Sequence, residues 1–454
     1  MKKYLPLLFI FLLFLNSCKD PVSENVLHLP PETYLTVIGD SITPSSTIKK
    51  ISWWGDSPQG FVVGFNISFD SLNWGFTTQN DSTFIFTIQG SDSTFRIWVA
   101  AVDNQGYVDP TPASNSYPVL NSPPDMQFVI GTEIPDTIFP VATFKWVASD
   151  PDGLSTISNF YWALNDTNNW RMISGNLDIM TLTKDSGLVI NYDNCLFMKV
   201  RDNAGAFSAV RRMPSDTAKF FYVRPVTSKV LLIKDIPAID NIRFNSYFSY
   251  AMDTVNYDVL DIKSNNGSLI PKIVNPMFIE TMKLFNVVIW SANRGNVTAD
   301  NANFELAQNS LPFYLLYGKV FFTSGFPNVE TQTQGNLLNF APVDSITYCT
   351  IPFVSQGTQL INIDNAYPQI SVSSDAGIGL QRVRGLQIPP TTKIIYRLPI
   401  NTACQDSMIV GIKDLQINPR IILFGLPVYF LNGNPEYSKL LMRKILIEEF
   451  NLNK

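Results

Sequence analysis

The sequence predicts two β-sandwiches in tandem, followed by an α/β domain built on an open, doubly wound sheet. Short strands of alternating apolar and polar residues, separated by turn residues, fill residues 31–225 and are typical of sandwiches of roughly 100 residues each. A turn, a tryptophan and a D-N-x-G sequence recur there in the same order, which indicates a tandem repeat. After about Pro225, continuous apolar runs alternate with helical patterns, as in a parallel sheet buried on both faces.

Length and composition indicate the number of domains and exclude some classes of protein. At 454 residues the chain has room for about three domains of ~100–200 residues. With 45% hydrophobic and 13% aromatic residues, most of the chain is expected to be globular rather than disordered. The net charge is -5 and the sequence contains no basic run, so we expect no nucleic-acid partner, because phosphate binding depends on clustered Lys and Arg.

Residues 1–17 are predicted to be a secretory signal. A short basic start precedes an apolar run from Tyr4 to Leu15, which is shorter than the roughly 20 residues that cross a bilayer. The run ends in Leu15-Asn16-Ser17-Cys18, which resembles the lipobox of bacterial lipoproteins. This resemblance implies that Cys18 is the first mature residue and carries a lipid anchor, so that the membrane is a partner. The alternative is an ordinary secretory signal with a coincidental cysteine.

Residues 18–30 are polar and contain proline, and they predict a flexible tether. The start of the tether, Cys18-Lys19-Asp20, is similar to the export signal of Bacteroidetes-type surface lipoproteins. That resemblance implies a cell-envelope protein, an outer-membrane lipoprotein on the periplasmic face or the cell surface. The single histidine of the chain, His28, falls in this tether, so we expect no histidine-based catalytic or metal site in the folded body.

The first sandwich is predicted over residues 31–117 and the second over residues 118–225, joined by a proline-rich link. The landmarks that recur in the two copies are the turns at 55–60 and 149–153, Trp74 and Trp170, and the D-N-x-G turns that begin at Asp103 and Asp202. The copies resemble fibronectin type III or immunoglobulin-like modules of bacterial surface proteins. This resemblance implies a role as spacer or adhesion modules.

Two features of the sandwiches leave alternatives open. Acidic residues in the turns either give oxygen ligands to Ca²⁺ or hold their own turns through backbone hydrogen bonds, and we favour the second because the acids are sparse and Ca²⁺ takes about 6–8 oxygens. These residues are Asp56, Asp103, Asp150, Asp152 and Asp202. Tryptophans of the first sandwich suggest sugar stacking, although such residues more often belong to a sandwich core; they are Trp53, Trp54, Trp74 and Trp98. We therefore expect no metal and no cofactor.

The α/β domain is predicted over residues 226–454. Its predicted strands are Lys229–Ile233, Asn256–Ile262, Asn286–Trp290, Lys319–Phe322 and Pro419–Phe424, and its predicted helices are Ile239–Met252, Met277–Leu284, Ala302–Tyr317 and Tyr437–Phe450. Asn434-Pro435 is a typical N-cap and first-position pair for the last helix. Residues 328–399 have little helical signal and are predicted to be an insertion of strands and loops over the strand ends.

The α/β domain resembles the flavodoxin-like fold of class I glutamine amidotransferase-like and ThuA-like proteins. Where that family has its nucleophile turn, this chain has Thr323-Ser324-Gly325, without the cysteine. Where the family has a strand that ends in histidine, this chain has Gly425 and Leu426. The resemblance therefore implies the fold without amidotransferase activity. To act as a nucleophile, Ser324 would need a lysine or a carboxylate as its base. We favour the alternative interpretation, in which Ser324 is simply a small residue at a tight turn.

A ligand site is predicted at the carboxyl ends of the strands, where open α/β sheets bind ligands. This rim carries Lys234, Asp235, Ser291, Asn293, Arg294, Ser324 and Gly425. A guanidinium at Arg294 would clamp a carboxylate or phosphate, or would instead form a surface salt bridge.

The remaining cysteines predict no metal cluster, because no pair has C-x-x-C spacing. Cys349 and Cys404 either pair as a disulfide in an oxidising compartment or stay as buried thiols. Cys195 is expected in the core of a strand.

The sequence favours a lipid-anchored envelope protein that is not an enzyme and that presents an α/β domain to an envelope protein or a glycan. The alternative is an envelope hydrolase that acts on glycans or peptides at the strand-end rim. A third hypothesis is calcium-dependent adhesion through the sandwich turns.

Overall fold

The computed structural model describes residues 28–36, 48–86, 88, 92–263, 276–293, 304–326, 339–373, 380–404 and 406–452. The predicted lipidation site Cys18 and the rim residue Arg294 lie outside these residues. The chain separates into two compact units. The first contains residues up to 124 together with 149–158 and 201–208, and the second contains 125–148, 159–200 and the residues from 209 onward.

The first sandwich packs a three-stranded sheet, in the order β1-β2-β5, with a four-stranded sheet, in the order β4-β3-β6-β7. The strands are β1 Glu32–Leu35, β2 Ile48–Asp56, β3 Val62–Ser68, β4 Gly75–Thr77, β5 Asp81–Ile85, β6 Asp92–Asp103 and β7 Ala113–Leu120. Alternate residues of these strands point inward, so that Trp53, Phe65 and Val99 share one buried core. The predicted β-sandwich is confirmed by this arrangement.

The second sandwich repeats the same sheet order. Its strands are β8 Asp125–Phe128, β9 Thr137–Ile138, β10 Val141–Ser149, β11 Ile157–Leu164, β12 Arg171–Ser174, β13 Ile179–Thr183, β14 Tyr192–Asn194, β15 Leu196–Asp202, β16 Arg211–Met213 and β17 Phe221–Val223. The sheets run β13-β10-β8 and β12-β11-β15-β16, with a further small sheet β14-β17-β9. Trp74 and Trp170 directly precede β4 and β12, so the matched tryptophans occupy equivalent positions. The tandem repeat is therefore a repeat of structure.

The C-terminal region is built on an eight-stranded sheet in the order β19-β18-β20-β21-β29-β28-β27-β24. The strands from residue 226 onward are β18 Val230–Asp235, β19 Asp258–Asp261, β20 Val287–Ala292, β21 Lys319–Thr323, β22 Ser345–Ile346, β23 Ile351–Val354, β24 Ile361–Asn362, β25 Leu380–Val383, β26 Leu386–Gln387, β27 Thr392–Arg397, β28 Ile409–Asp414 and β29 Ile421–Phe424. The pairs that join β19, β18, β20, β21 and β29 are parallel, and those that join β29, β28, β27 and β24 are antiparallel.

Helices cover both faces of this sheet, because successive strand residues point to opposite sides. The helices are α1 Asn241–Ala251, α2 Pro276–Met282, α3 Phe304–Tyr314 and α4 Pro435–Arg443. Val230 and Leu232 of β18 share a core with α1 and α4, whereas Leu231 and Ile233 share the opposite core with α2 and α3. Burial on both faces explains why these strands are almost continuously apolar.

The last helix differs from the predicted Tyr437–Phe450 at both ends, because it begins at Pro435 and changes type after Arg443. Asn434 is its N-cap and accepts a hydrogen bond from the Glu436 N–H at 3.1 Å, with Pro435 in the first turn. The regular α-helix ends at Arg443 and continues as a π-helix over Lys444–Glu449.

Part of the insertion lies elsewhere than over the strand ends. Two of its strands, β27 and β24, extend the main sheet beyond β28, a strand that the sequence pattern did not predict. Gly411 of β28 allows this pairing, because a Cβ there would lie 3.0 Å from the ring of Tyr396 on β27. In the described residues, no helix has the length and apolar character needed to span a bilayer.

Candidate functional site at the strand ends

Most of the predicted rim residues lie at one edge of the parallel sheet. Lys234 is in register with Ser291, and Ser291 is in register with Thr323, so the three strands end at the same level. Asn293 and Ser324 follow β20 and β21 directly. The structure therefore brings together the ends of β18, β20 and β21, as expected for parallel strands.

Asp235, the last residue of β18, is fully buried in the rim. Its carboxylate accepts a hydrogen bond from Trp290 Nε1 at 3.2 Å and lies 4.0 Å from the Nζ of Lys263. Its backbone carbonyl accepts the Asn293 N–H at 3.3 Å. The neighbouring Lys234 forms an ion pair with Asp261 at 2.9 Å. These two rim residues already have partners within the chain.

A second buried carboxylate, Asp240, is the centre of the rim. Its Oδ2 accepts hydrogen bonds from Asn293 Nδ2 and from the Tyr429 hydroxyl, each at 2.7 Å. Arg243 Nη1 lies 3.8 Å from the other oxygen. Burial and then the charge of Asp240 raise the pKa of Tyr429 well above its usual value, so the phenol stays protonated as a donor. The network links the ends of β18 and β20 with the segment after β29.

Asp240 and Tyr429 were not predicted as rim residues, because neither is the last residue of a strand. Asp240 comes several residues after the end of β18, and Tyr429 several residues after the end of β29. Tyr429 comes from a short turn 189 residues after Asp240 in the chain. The position of Asp240 at the start of α1 is the only local signal, since acidic residues are favoured at helix N-termini.

Ser291 has a buried hydroxyl that is not hydrogen-bonded. The residue is fully buried, and its Oγ has no hydrogen-bond partner among the described residues. A buried unpaired hydroxyl is costly, by about 1–3 kcal/mol, so such groups are uncommon in folded proteins. At 0% exposure, this hydroxyl is not accessible to solvent in the structure.

The turn at Ser324 is held by its own backbone. The Ser324 Oγ donates to the Gly325 carbonyl at 3.1 Å, and its N–H donates to the Phe424 carbonyl at 3.1 Å. The adjacent Thr323 hydroxyl donates to the Leu426 carbonyl at 2.6 Å. Among the described residues, no lysine or carboxylate is hydrogen-bonded to the Ser324 hydroxyl. The geometry is that of a structural turn rather than an activated nucleophile.

The insertion covers the end of β29. A Cβ added at Gly425 would lie 3.5 Å from the side chain of Leu386. The backbone N–H of Ser373 donates to the Phe430 carbonyl at 2.7 Å, and that of Gly433 donates to the Ser371 carbonyl at 3.0 Å. The polar groups of the rim are thus concentrated at β18 and β20.

Outside the rim, the structure joins Cys349 and Cys404 in a disulfide with a Cα–Cα distance of 5.9 Å. Cys195 is a buried free thiol in the second sandwich. Of the paired tryptophans, Trp53 is buried in the first core, whereas Trp54 is exposed and stacks on Tyr34 with ring centroids 4.0 Å apart. Of these two tryptophans, Trp54 alone is exposed enough to stack on a sugar, and Trp74 is also 40% exposed.

His28 differs from its predicted place in a free tether. Its Nε2 lies 3.1 Å from Asp103 Oδ2, and its ring stacks on Tyr107 with centroids 3.8 Å apart. The histidine side chain is only 13% exposed. No local sequence pattern indicated this contact, because Asp103 is 75 residues away from His28 in sequence.

Comparisons with known proteins give low similarity. No protein-family model and no curated protein matches the sequence. The chain is 12% identical to the fibronectin(III)-like modules of Clostridium thermocellum CbhA, covering 43% of this chain and 95% of that one with a TM-score of 0.19. It is 15% identical to a two-domain fibronectin type-III segment of chicken tenascin, covering 40% and 96% with a TM-score of 0.22. It is 12% identical to the PKD1 domain of Vibrio anguillarum Epp, covering 20% and 96% with a TM-score of 0.16. The assignment of the sandwiches therefore depends on the sheet order of this chain.

Proposed function

We propose that this chain is a lipid-anchored cell-envelope protein that is not an enzyme. In this proposal the two sandwiches are fibronectin type III-like or immunoglobulin-like spacer or adhesion modules. They present a C-terminal domain that binds an envelope protein or a glycan at its strand-end rim.

The C-terminal domain is proposed to be flavodoxin-like. Numbered along the chain, its parallel strands lie in the order 2-1-3-4-5, which is the order of that fold. In such sheets the ligand crevice lies where the strand order reverses, between the first and third strands. Here those strands are β18 and β20, which carry Asp235 and Ser291.

The single observation that carries the non-catalytic proposal is the state of Ser324. The Ser324 hydroxyl, at the position of the missing nucleophile, donates its hydrogen bond to the Gly325 carbonyl. The position of the missing base is covered by Leu386 over Gly425. Among the described residues, no base is hydrogen-bonded to this hydroxyl, and a serine needs a base to lose its proton at neutral pH, so the turn gives hydrolysis no support.

The rim supports a binding role through groups that hold a fixed shape. Asp235 and Asp240 are buried and hydrogen-bonded, which positions Asn293 between them. The Ser291 hydroxyl is buried without a hydrogen-bond partner among the described residues, so a ligand would reach it only if the rim opened. Arg294 comes directly after Asn293 in sequence and remains our candidate clamp for a carboxylate or phosphate group.

The anchor is tested by expressing the full chain and its Cys18→Ala variant in a bacterium that processes lipoproteins. We expect mass spectrometry to find lipid on residue 18 of the wild type and the variant to leave the membrane fraction. An unmodified residue 18, with the leader still attached, would refute the anchor.

The absence of catalysis is tested with the full chain and a Ser324→Ala variant on panels of glycan and peptide substrates. We expect no turnover by either protein. Hydrolysis by the wild type that is lost in the Ser324 variant would overturn the proposal in favour of the envelope hydrolase.

A further inference from the structure

The two sandwiches hold the segment before their first strand with equivalent residues. His28 lies four residues before β1, and Asn121 lies four residues before β8. Each contacts the aspartate of the D-N-x-G turn in its own sandwich, His28 at Asp103 and Asn121 at Asp202. In each case the next backbone N–H donates to a side chain of the turn that joins the two sheets, between β2 and β3 in the first sandwich and between β10 and β11 in the second. We call this arrangement the entry clamp.

In the first sandwich the entry clamp contains a single carboxylate. Asp103 Oδ1 accepts the N–H groups of Gln105 and Tyr107, each at 2.9 Å. Its Oδ2 lies 3.1 Å from His28 and 3.5 Å from the Ser57 hydroxyl. Gln59 accepts the backbone N–H that follows His28, at 3.3 Å. The one charged group therefore has a donor at each oxygen.

In the second sandwich the same positions carry three carboxylates. Ser57-Pro58-Gln59-Gly60 is replaced by Asp150-Pro151-Asp152-Gly153, and the histidine by Asn121. Asp202 Oδ2 accepts from Asn121 Nδ2 at 2.6 Å, and its Oδ1 accepts from the N–H groups at positions 205 and 206. Asp152 Oδ2 accepts the N–H that follows Asn121, at 2.7 Å, and Asp150 Oδ1 accepts the Asp152 N–H at 2.8 Å.

Three oxygens of this second clamp are buried without a hydrogen-bond donor among the described residues. They are Asp150 Oδ2, Asp152 Oδ1 and Asn121 Oδ1. The three carboxylates are almost fully buried, so water has little access to solvate them. The exposed fractions are 9% for Asp150, 0% for Asp152 and 1% for Asp202. Buried carboxylates normally have a cation or a set of donors as a partner, which these oxygens lack.

We propose that the entry clamp of the second sandwich binds Ca²⁺ through Asp150, Asp152 and Asp202, with the amide oxygen of Asn121 as a further ligand. All four side chains offer oxygen, which Ca²⁺ prefers, and no imidazole or thiolate takes part that would favour a transition metal. Among the described residues, no group of three or more acidic, His or Cys side chains could hold a metal ion in the geometry observed. The proposal therefore requires the carboxylates to turn towards the ion as it binds, which the flexible coordination of Ca²⁺ permits and the strict octahedron of Mg²⁺ disfavours.

The entry clamp of the first sandwich has only one carboxylate and needs no cation to neutralise it. Ser57, Gln59 and His28 replace two carboxylates and the amide, and His28 gives Asp103 its donor. The two entry clamps can therefore be compared within one chain, and we expect a cation only at the second clamp, which has three carboxylates.

The test is calorimetric titration of the full chain with CaCl₂ after removal of divalent ions by a chelator. We expect one site per chain with a Kd of about 0.1–1 mM, the range of extracellular calcium modules. We also expect Tm to rise by roughly 5 °C at a Ca²⁺ concentration about ten times the Kd. No saturable binding and no change in Tm would overturn the proposal. An equal response to MgCl₂ would overturn the choice of Ca²⁺.

Two variants locate the site. Asp150→Asn and Asp152→Asn each remove one ligand charge at nearly constant shape, and each is expected to abolish the calcium response. Asp150→Asn is also expected to raise Tm in chelator, because it relieves repulsion among the three carboxylates. The control is Ser57→Ala, at the matched position of the first sandwich, which should keep the full calcium response. A normal response in both aspartate variants would overturn the proposal.

Discussion

Replacement of Lys413 with methionine is expected to destabilise the C-terminal region strongly. Lys413 lies on β28 with its side chain 10% exposed, and its Nζ is 2.8 Å from Glu449 in the terminal π-helix and 3.4 Å from Asp364 in the insertion. Both acids are 9% exposed. The lysine therefore neutralises two buried charges that come from different parts of the chain.

The size of the effect depends on the charges that the variant leaves behind. Removing one member of a buried ion pair costs about 3–5 kcal/mol, because the remaining charge is buried without a partner. Glu449 retains Lys444 at 3.3 Å and Asp364 retains Lys393 at 3.0 Å, so we expect a loss near the lower end, about 3 kcal/mol.

The loss is expected to depend on pH. Burial acts to raise the pKa of Glu449, but the hydrogen bond and charge of Lys413 outweigh it and lower the pKa. The pKa of Asp364 is also lowered despite burial, first by the hydrogen bond from Lys393 and then by the Ala366 N–H and the charge of Lys413. A carboxylate with a lowered folded-state pKa stabilises the fold above its unfolded pKa of about 4, and this contribution is lost as the pH falls through the folded-state value. The difference between wild type and variant should therefore be largest near neutral pH and shrink in acid.

The assay is urea unfolding of wild type and Lys413→Met at neutral and acid pH, with Lys393→Met as control. Lys393 pairs with the same Asp364 but is 51% exposed, so its replacement should cost only about 0–1 kcal/mol. A Lys413 variant within about 1 kcal/mol of the wild type at neutral pH would refute the reasoning.

Three further predictions use denaturant unfolding as the measurement. Trp53→Ala removes the largest side chain of the first core and should cost about 3–5 kcal/mol, and a cost below about 1 kcal/mol would contradict its place there. Tyr429→Phe removes a hydrogen bond to the buried Asp240 carboxylate and should cost about 1.5–3 kcal/mol; an unchanged midpoint would show that the bond is not formed in solution. The double replacement of Cys349 and Cys404 by serine opens a loop with a sequence separation of 55 and should cost about 3–4 kcal/mol, whereas a reductant should destabilise the wild type alone.

Elements whose signal is local could be predicted from the sequence. The sandwich strands alternate between core and surface, and Trp74 and Trp170 mark the same point in each copy. The parallel strands β18 and β20 are buried on both faces, which requires uninterrupted apolar runs. Strand ends in register also explain why Lys234 and Ser291 could be placed on one rim.

Elements whose stability comes from distant partners could not be predicted. β28 contains Lys413, which resembles a surface residue until its partner Glu449, 36 residues later, is known. His28 belongs to the first sandwich through its contacts with the distant residues Asp103 and Tyr107. The rim centre at Asp240 likewise depends on Tyr429, and sequence periodicity carries no information on such pairs.

The disulfide between Cys349 and Cys404 has a consequence for the resistance of the C-terminal region to proteolysis. The exposed turn at Ser355, Gln356 and Gly357 lies within the span that the bond closes. A protease that cuts this turn would produce two pieces still held together covalently and by the shared sheet. The nicked protein would run as one band without reductant, and an attacking enzyme would have to break a second bond to separate the two pieces.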